Sequence, residues 1–284
     1  VRTIGRRRFD FSRQIAVMGI VNRTPDSFFD EGRTFTLDAA IAAALGAAEA
    51  GADIVDIGGV PFRPGPELSV ADELDRVIPV IEELAARSDV VISVDTFRPE
   101  VAAEAIAAGA SVINDTTGLF YPELADVVAA SDATLVITHS RAAPRQPFPQ
   151  PHYDDVVGEV AGFLAARIDV ALAHGVPVER LFIDPGHDLN KNTRQTLELT
   201  RGLAAVADLG LPMIAAVSNK DFVGESLGRE KADRLAGSLA AATVCVMLGA
   251  RIVRMHDVRA AVDAMRMIET IQGWREPVST AHNL

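Results

Sequence analysis

The amino-acid sequence predicts a single (β/α)8 TIM barrel, and three observations carry that reading. Eight short apolar runs rich in β-branched residues recur along the 284 residues. Between them lie longer stretches with the apolar spacing of helices, also eight in number. Almost every run stops at a polar or charged side chain. Parallel strands need crossover helices, so strict alternation leaves an open sheet or a closed barrel. Eight repeats with no interior change of composition favour closure, with 1–284 as one domain. A dinucleotide-binding sheet is disfavoured, because Gly58-Gly59 follows the second strand but no Gly-x-Gly-x-x-Gly follows any strand.

Residues 1–14 are expected to cover the bottom of the barrel. Ile15-Ala16-Val17-Met18-Gly19-Ile20-Val21 is apolar throughout, as a strand buried on both faces must be, and gives the first strand. Further strands are placed at 54–57, 90–94, 112–113, 134–137, 181–183, 213–217 and 252–253. Helices are placed at 36–50, 70–87, 99–108, 122–130, 154–174, 193–209, 231–248 and 258–272. Asp38 and Ser69 read as N-caps of the first two. Residues 141–153, with Pro144, Pro147, Pro149 and Pro151, form a long loop and not a linker, because alternation resumes beyond it.

With 49% hydrophobic and 23% charged residues the chain can bury a sizeable core. A net charge of −12 argues against nucleic acid and anionic membranes as partners, since both need a basic face. Arg6-Arg7-Arg8 is the local exception and reads as a solvated edge. Cys245 is the only cysteine and lies in an apolar helix, so it reads as a buried, inert thiol in a reducing compartment. With no 18-residue apolar span and no signal-peptide pattern, a cytoplasmic location is expected.

The strand ends hold the chemistry. Asn22 closes the first strand, Asp56 the second, Asp95 the third, Asn114-Asp115 the fourth and His139 the fifth. Asp184 closes the sixth, Ser218-Asn219-Lys220 the seventh, and Arg254 with His256 the eighth. A barrel brings all of these to one face, the face that carries active sites. Asp95 and Asp184 can accept from N–H donors, and Asn114 offers a donor beside an acceptor, which suits a flat heterocycle. Lys220, Arg254 and His256 follow strands seven and eight, where barrels commonly hold phosphate. A lone Asp at a strand end is as often a helix cap. A lone His such as His139, His187 or His256 is more often a loop residue than a ligand. The coincidence at eight ends raises the functional reading, while no zinc spacing or nucleophile elbow is legible.

Asn22-Arg23-Thr24-Pro25-Asp26-Ser27-Phe28 resembles, with one substitution, the opening signature of the dihydropteroate synthases of folate biosynthesis. Ser93-Val94-Asp95-Thr96, Asn114-Asp115, Asp184-Pro185-Gly186, Lys220 and Arg254-Met255-His256-Asp257 fall in that family's order. The resemblance covers essentially the whole barrel. It implies a transferase that joins 6-hydroxymethyl-7,8-dihydropterin pyrophosphate to p-aminobenzoate, with magnesium on the pyrophosphate. By position, Asp95, Asn114, Asp184 and Lys220 would grip the pterin. Asn22 would meet magnesium and pyrophosphate, and Arg63, Arg254 and His256 would be further anion contacts. These anion contacts and Lys220 would carry the catalysis, because the protein's work is to bind the departing pyrophosphate and position the amine. The resemblance also implies sulfonamide or sulfone analogues as ligands and a homodimer through the last helices.

Departures from the family concentrate in the loops. Family Glu, Ser and Thr after the second strand are here Val60, Pro61 and Phe62, ahead of Arg63-Pro64-Gly65. The family's Gly-Ile-Gly-Phe-Gly-Lys is here Gly186-His187-Asp188-Leu189-Asn190-Lys191, so Leu189 replaces the aromatic beside the amine. Ser-Arg-Lys-Ser becomes Ser218-Asn219-Lys220-Asp221, which removes one cation and adds one anion. Arg23 replaces Val and returns one cation, and Glu31 replaces Gly. The ring-gripping residues persist while the p-aminobenzoate side, at Pro61, Phe62, Leu189, Asn219 and Asp221, is rewritten. The chain is therefore similar to the divergent second synthase that some bacteria keep, and weak or absent condensation is expected. Alternatives are a working synthase, a methyltetrahydrofolate–corrinoid methyltransferase-like enzyme, and a non-catalytic pterin-responsive regulatory or partner-binding protein.

Overall fold

The computed structural model describes residues 1–24, 36–61, 64–148 and 150–282. A short antiparallel hairpin comes first, β1 (Arg2–Ile4) and β2 (Arg7–Phe9). Eight parallel strands follow: β3 (Ala16–Asn22), β4 (Ile54–Gly58), β5 (Val91–Asp95), β6 (Val112–Asp115), β7 (Thr134–Thr138), β8 (Leu181–Asp184), β9 (Ile214–Ala215) and β10 (Ile252–Met255). Their order is β8-β7-β6-β5-β4-β3-β10-β9. A parallel bridge between Ile183 and Met213 joins the two ends, and the Ile183 N–H donates to the Pro212 carbonyl at 3.1 Å. The sheet closes into the expected barrel.

Period-two alternation divides each strand between two cores. Outward side chains such as Val17, Val55, Ile57 and Val94 are buried beneath the helices. Inward side chains Met18, Ile54, Val91, Val112, Val136, Phe182, Ile214 and Ile252 fill the lower interior, which Ile4 and Phe9 of the hairpin close from below. Asp53 fastens this end by accepting from the Val17 N–H at 3.0 Å, Arg7 at 3.1 Å and Arg266 at 2.9 Å. One layer higher, the same inward register turns polar. The apolar plug carries the packing and leaves the upper mouth for polar groups.

The helices are α1 (Leu37–Glu49), α2 (Val70–Arg87), α3 (Pro99–Ala108), α4 (Glu123–Ala129), α5 (Val156–Ala173), α6 (Thr193–Arg201), α7 (Leu203–Ala207), α8 (Asp221–Leu227), α9 (Leu235–Met247) and α10 (Val258–Ile271). Ser69 caps α2 as expected, but Thr36 and not Asp38 caps α1. The single helix expected at 193–209 is two, broken at Gly202, where a Cβ would lie 2.6 Å from the Val157 side chain of α5. Helix α8 was not expected; seven residues are too few for a helical period to show. Pro79 lies inside α2 and cannot donate to the Asp75 carbonyl. Arg23 supplies that donor, at 2.7 Å from Asp75 O and 3.2 Å from Arg76 O. Among the described residues, no helix is long and apolar enough to cross a membrane.

Candidate active site

The inward register carries Asp56, Ser93, Asn114 and Arg254 to one level above the apolar plug. Asp56 is the hub and is fully buried. Its Oδ1 accepts from Ser93 Oγ at 2.6 Å, and its Oδ2 accepts from Asn114 Nδ2 at 3.0 Å and Arg254 Nε at 2.7 Å. Arg254 also reaches Asp95 Oδ2 at 3.3 Å, and Thr116 Oγ1 donates to Asp95 Oδ1 at 3.3 Å. Burial, and then the Asp56 carboxylate, push Asp95 above the usual carboxylate range, against the pull of Arg254.

Above this floor opens a cavity of about 490 Å³, bounded by the loops that leave the strands. Asn22, Asp95, Asn114, Asp184, Lys220, Arg254 and His256 all line it, as do Pro61, Leu189 and Asp221. Asp184 accepts from the Gly186 N–H at 2.7 Å, and burial raises its pKa. Burial lowers that of Lys220, opposed first by Asp188. His256 rests on Ser218 Oγ, 2.9 Å from its Nδ1 and 3.1 Å from its backbone N–H. Thr138 Oγ1 is buried in the cavity wall and meets no partner among the described residues. Phe62, Arg63, Glu31 and the Pro25-Asp26-Ser27-Phe28 part of the opening signature lie outside the described residues.

Several strand-end residues face elsewhere. Asp115 points outward and accepts from the Thr117 backbone at 2.8 Å and its hydroxyl at 2.6 Å, so it shapes the turn after β6. His139 also points outward, because alternation from Val136 makes Thr138 the inward residue. Its Nδ1 lies 2.9 Å from Lys191 Nζ, and burial, then Lys191, bring its pKa down to about 3. Asn219 does not line the cavity: its N–H donates to Ser238 Oγ of α9 at 2.9 Å. Nor does Arg23, whose guanidinium is spent on α2, so it returns no cation to the pocket wall.

Asp188, Asn190 and Arg145 hold the loops together. Asp188 and Asn190 stand where the resembled family has glycines, with φ +62° and +53°. Asp and Asn tolerate this left-handed conformation, so the loop keeps a glycine-like path without glycine. Asn190 Oδ1 accepts from the Arg141 N–H at 2.6 Å, the Ala142 N–H at 3.1 Å and Ser140 Oγ at 3.2 Å. Asp188 Oδ2 accepts from the Phe222 N–H at 3.1 Å, in the first turn of α8. Arg145 crosses from the loop after β7 to the loop after β4, bonding Pro61 O at 2.5 Å and Pro66 O at 3.2 Å. No local pattern announces these ties; only Gly-to-Asp and Gly-to-Asn changes signal them.

A closed barrel that gathers Asp95, Asp184, Asn114 and Lys220 into one cavity at its polar mouth has the architecture in which α/β barrels place their active sites. Residues 18–256 match the pterin binding enzyme family. The chain belongs to that family, on its dihydropteroate synthase branch. It is 44% identical over 274 residues to the inactive dihydropteroate synthase 2 of Mycobacterium tuberculosis, spanning 94% of this chain and 86% of that relative. It is 40% identical over 261 residues to the dihydropteroate synthase of Escherichia coli, spanning 92% and 93%. Among solved structures, the Xanthomonas albilineans dihydropteroate synthase with 4-aminobenzoic acid aligns at TM-score 0.85 and 45% identity, covering 92% of this chain and 94% of that one. The Yersinia pestis dihydropteroate synthase with a sulfonamide drug complex aligns at TM-score 0.90 and 37% identity, covering 96% and 99%.

Proposed function

We propose that this protein holds a pterin ring against Asp95, Asn114, Asp184 and Lys220, and condenses pterin pyrophosphate with p-aminobenzoate weakly or not at all. One observation carries the second half. Each described cation of the cavity wall is already engaged inside the protein. Arg254 bonds Asp56 and Asp95, and Lys191 donates to Gly186 O at 2.9 Å and Leu189 O at 3.0 Å. Arg145 serves the carbonyls of Pro61 and Pro66, and Lys220 faces the charges of Asp188 and Asp184. A departing pyrophosphate needs uncommitted positive charge, and little is on offer. The ring half is supported by the convergence of four polar groups and by Thr138 Oγ1, a buried hydroxyl still to be satisfied.

Magnesium fits this reading only in a modest role. Among the described residues no group of three His, Cys, Asp or Glu side chains could hold a metal ion. Asn22 at the cavity rim would offer one amide oxygen, and the pyrophosphate itself would supply others, as Mg²⁺ sites with few protein ligands commonly do. When bound, the ion would neutralise the leaving group. p-Aminobenzoate and its sulfonamide analogues are the second ligands that the relatives suggest, and the cytoplasm is the setting this reading implies.

Assaying pteroate from pterin pyrophosphate, p-aminobenzoate and magnesium tests the proposal, alongside calorimetry with pterin and with pterin pyrophosphate. We expect measurable pterin binding, little extra affinity from the pyrophosphate and negligible turnover. Turnover of about 1 s⁻¹ or more would establish a working synthase instead. A homodimer is part of the same proposal: α9 and α10 expose Val244, Met247, Met267 and Ile271. Light scattering that returns a monomer mass would remove it.

A further inference from the structure

The second-ligand end of the cavity, beyond the ring floor, differs in charge from what a carboxylate-bearing amine requires. Pro61, Leu189, Asp188 and Asp221 all line this cavity, and Pro61, Leu189 and Asp221 stand at the positions that the resemblance assigns to the second ligand. Asp188 is half-buried, and its carboxylate is fixed against the first turn of α8 by the Phe222 N–H at 3.1 Å. Lys220, the N-cap of that same helix, lines the cavity with Asp188 and feels the charge of Asp188 first among the carboxylates. Asp221 follows directly and is held by Arg234 at 3.1 Å. Arg234 in turn donates to the carbonyls of Asn219 and Lys220, and it does not line the cavity. Among the described residues the cations here are thus drawn toward protein carboxylates and carbonyls, while Asp188 and Asp221 line the cavity.

We infer that Asp188, with Asp221, makes this end of the cavity a site for uncharged aromatic amines and disfavours carboxylate-bearing ones. The inference rests on the ring-site reading above and names the class of second ligand. A ligand carboxylate would meet the half-buried Asp188 charge, which also competes with it for Lys220, and a more screened charge at Asp221, which is exposed and paired with Arg234. An amide in its place removes the repulsion and can donate N–H to either carboxylate. Pro61, Pro64, Pro144 and Pro151 of the wall carry no charge that would distinguish the two. Burial raises the pKa of Asp188, offset first by Lys220, so measurements belong at about pH 8, well above the ordinary carboxylate range.

The test is calorimetric titration of the full chain with 4-aminobenzoate and with 4-aminobenzamide, both with and without saturating pterin. The amide is expected to bind at least tenfold more tightly than the acid. In the double variant Asp188→Asn, Asp221→Asn the gap should close to less than threefold, mainly through tighter binding of the acid. Asn keeps the acceptor for Phe222 and tolerates the left-handed backbone, and a thermal midpoint checks that the variant folds. Equal affinities in the parent, an unchanged ratio in the variant, or no binding of either compound would overturn the inference. Failure of pterin to bind would sink the ring-site reading alone, because the charge preference is also read without pterin.

Discussion

Arg254 on β10 reaches past the intervening β3 to Asp56 on β4, its Nε donating to Oδ2 at 2.7 Å. The two residues lie 198 positions apart in the chain. This pair sets the floor on which the proposed ring contacts rest, because Asp56 also orients Asn114, and Arg254 also holds Asp95. Removing the carboxylate leaves a largely buried guanidinium with only the longer Asp95 contact, and breaking a buried pair typically costs about 3–5 kcal/mol. Asp56→Ala is expected to lose that much stability in urea titrations and to weaken pterin binding through Asn114. A loss under about 1 kcal/mol would show that Asp95 alone suffices for Arg254.

Asn190 separates backbone strain from side-chain bonding. Asn190→Gly removes the acceptor for Ser140, Arg141 and Ala142 but keeps the freedom to sit at φ +53°. Asn190→Ala removes both, adding left-handed strain of about 1–2 kcal/mol. The glycine variant should therefore be the more stable of the two by roughly 1 kcal/mol, the reverse of the usual order in regular structure. Unfolding midpoints of the pair, with matching denaturant slopes, decide it.

The fully buried His187 gives an acid-sensitive element. Burial, then Lys191 and Lys220, bring its pKa down to about 3 from 6.5. Below pH 6.5 the unfolded chain takes a proton that the folded chain refuses, so stability falls as pH drops from 6.5 toward 3. The slope is about 1.4 kcal/mol per pH unit for one such group. His187→Phe, which keeps a ring near Phe222, should flatten the pH dependence by that amount between pH 4.5 and 6. Parallel curves for parent and variant would show that His187 protonates freely in the fold.

Arg23 and Pro79 are expected to be energetically coupled. Arg23 donates to the Asp75 carbonyl that Pro79 leaves without a helical donor. In the parent, Arg23→Met should cost about 0.5–1 kcal/mol, the worth of one partly exposed hydrogen bond. In Pro79→Ala, which restores the N–H, the same substitution should cost clearly less, the longer bond to the Arg76 carbonyl being the part that remains to lose. A double-mutant cycle with no coupling would show that water serves Asp75 equally well.

The alternation of strands and helices was legible because hydrophobic period is a local signal, and it survived in residues such as Val91–Asp95 and Val258–Ile271. The short α8 and the break at Gly202 were not. The first is shorter than a readable period, and the second depends on Val157 of another helix. At the site, Asn22, Asp95, Asn114, Asp184, Lys220, Arg254 and His256 were legible from strand ends and resemblance, and all line one cavity. His139 and Asp115 turn out of the cavity, since a strand end names two neighbours and only register says which one faces inward. Asn219, in the turn after β9, is drawn to Ser238 of α9.

Local pattern thus determined that this chain would alternate strand and helix and end its strands in polar groups, because those preferences arise within a few residues. Family membership was equally legible, being written in the same short segments. Tertiary structure alone decided that Asp56 is a hub, that Arg23 turns to α2, and that Asp188 stands beside Lys220. Each of those partnerships joins segments far apart in sequence, and only closure of the barrel sets their distances and directions.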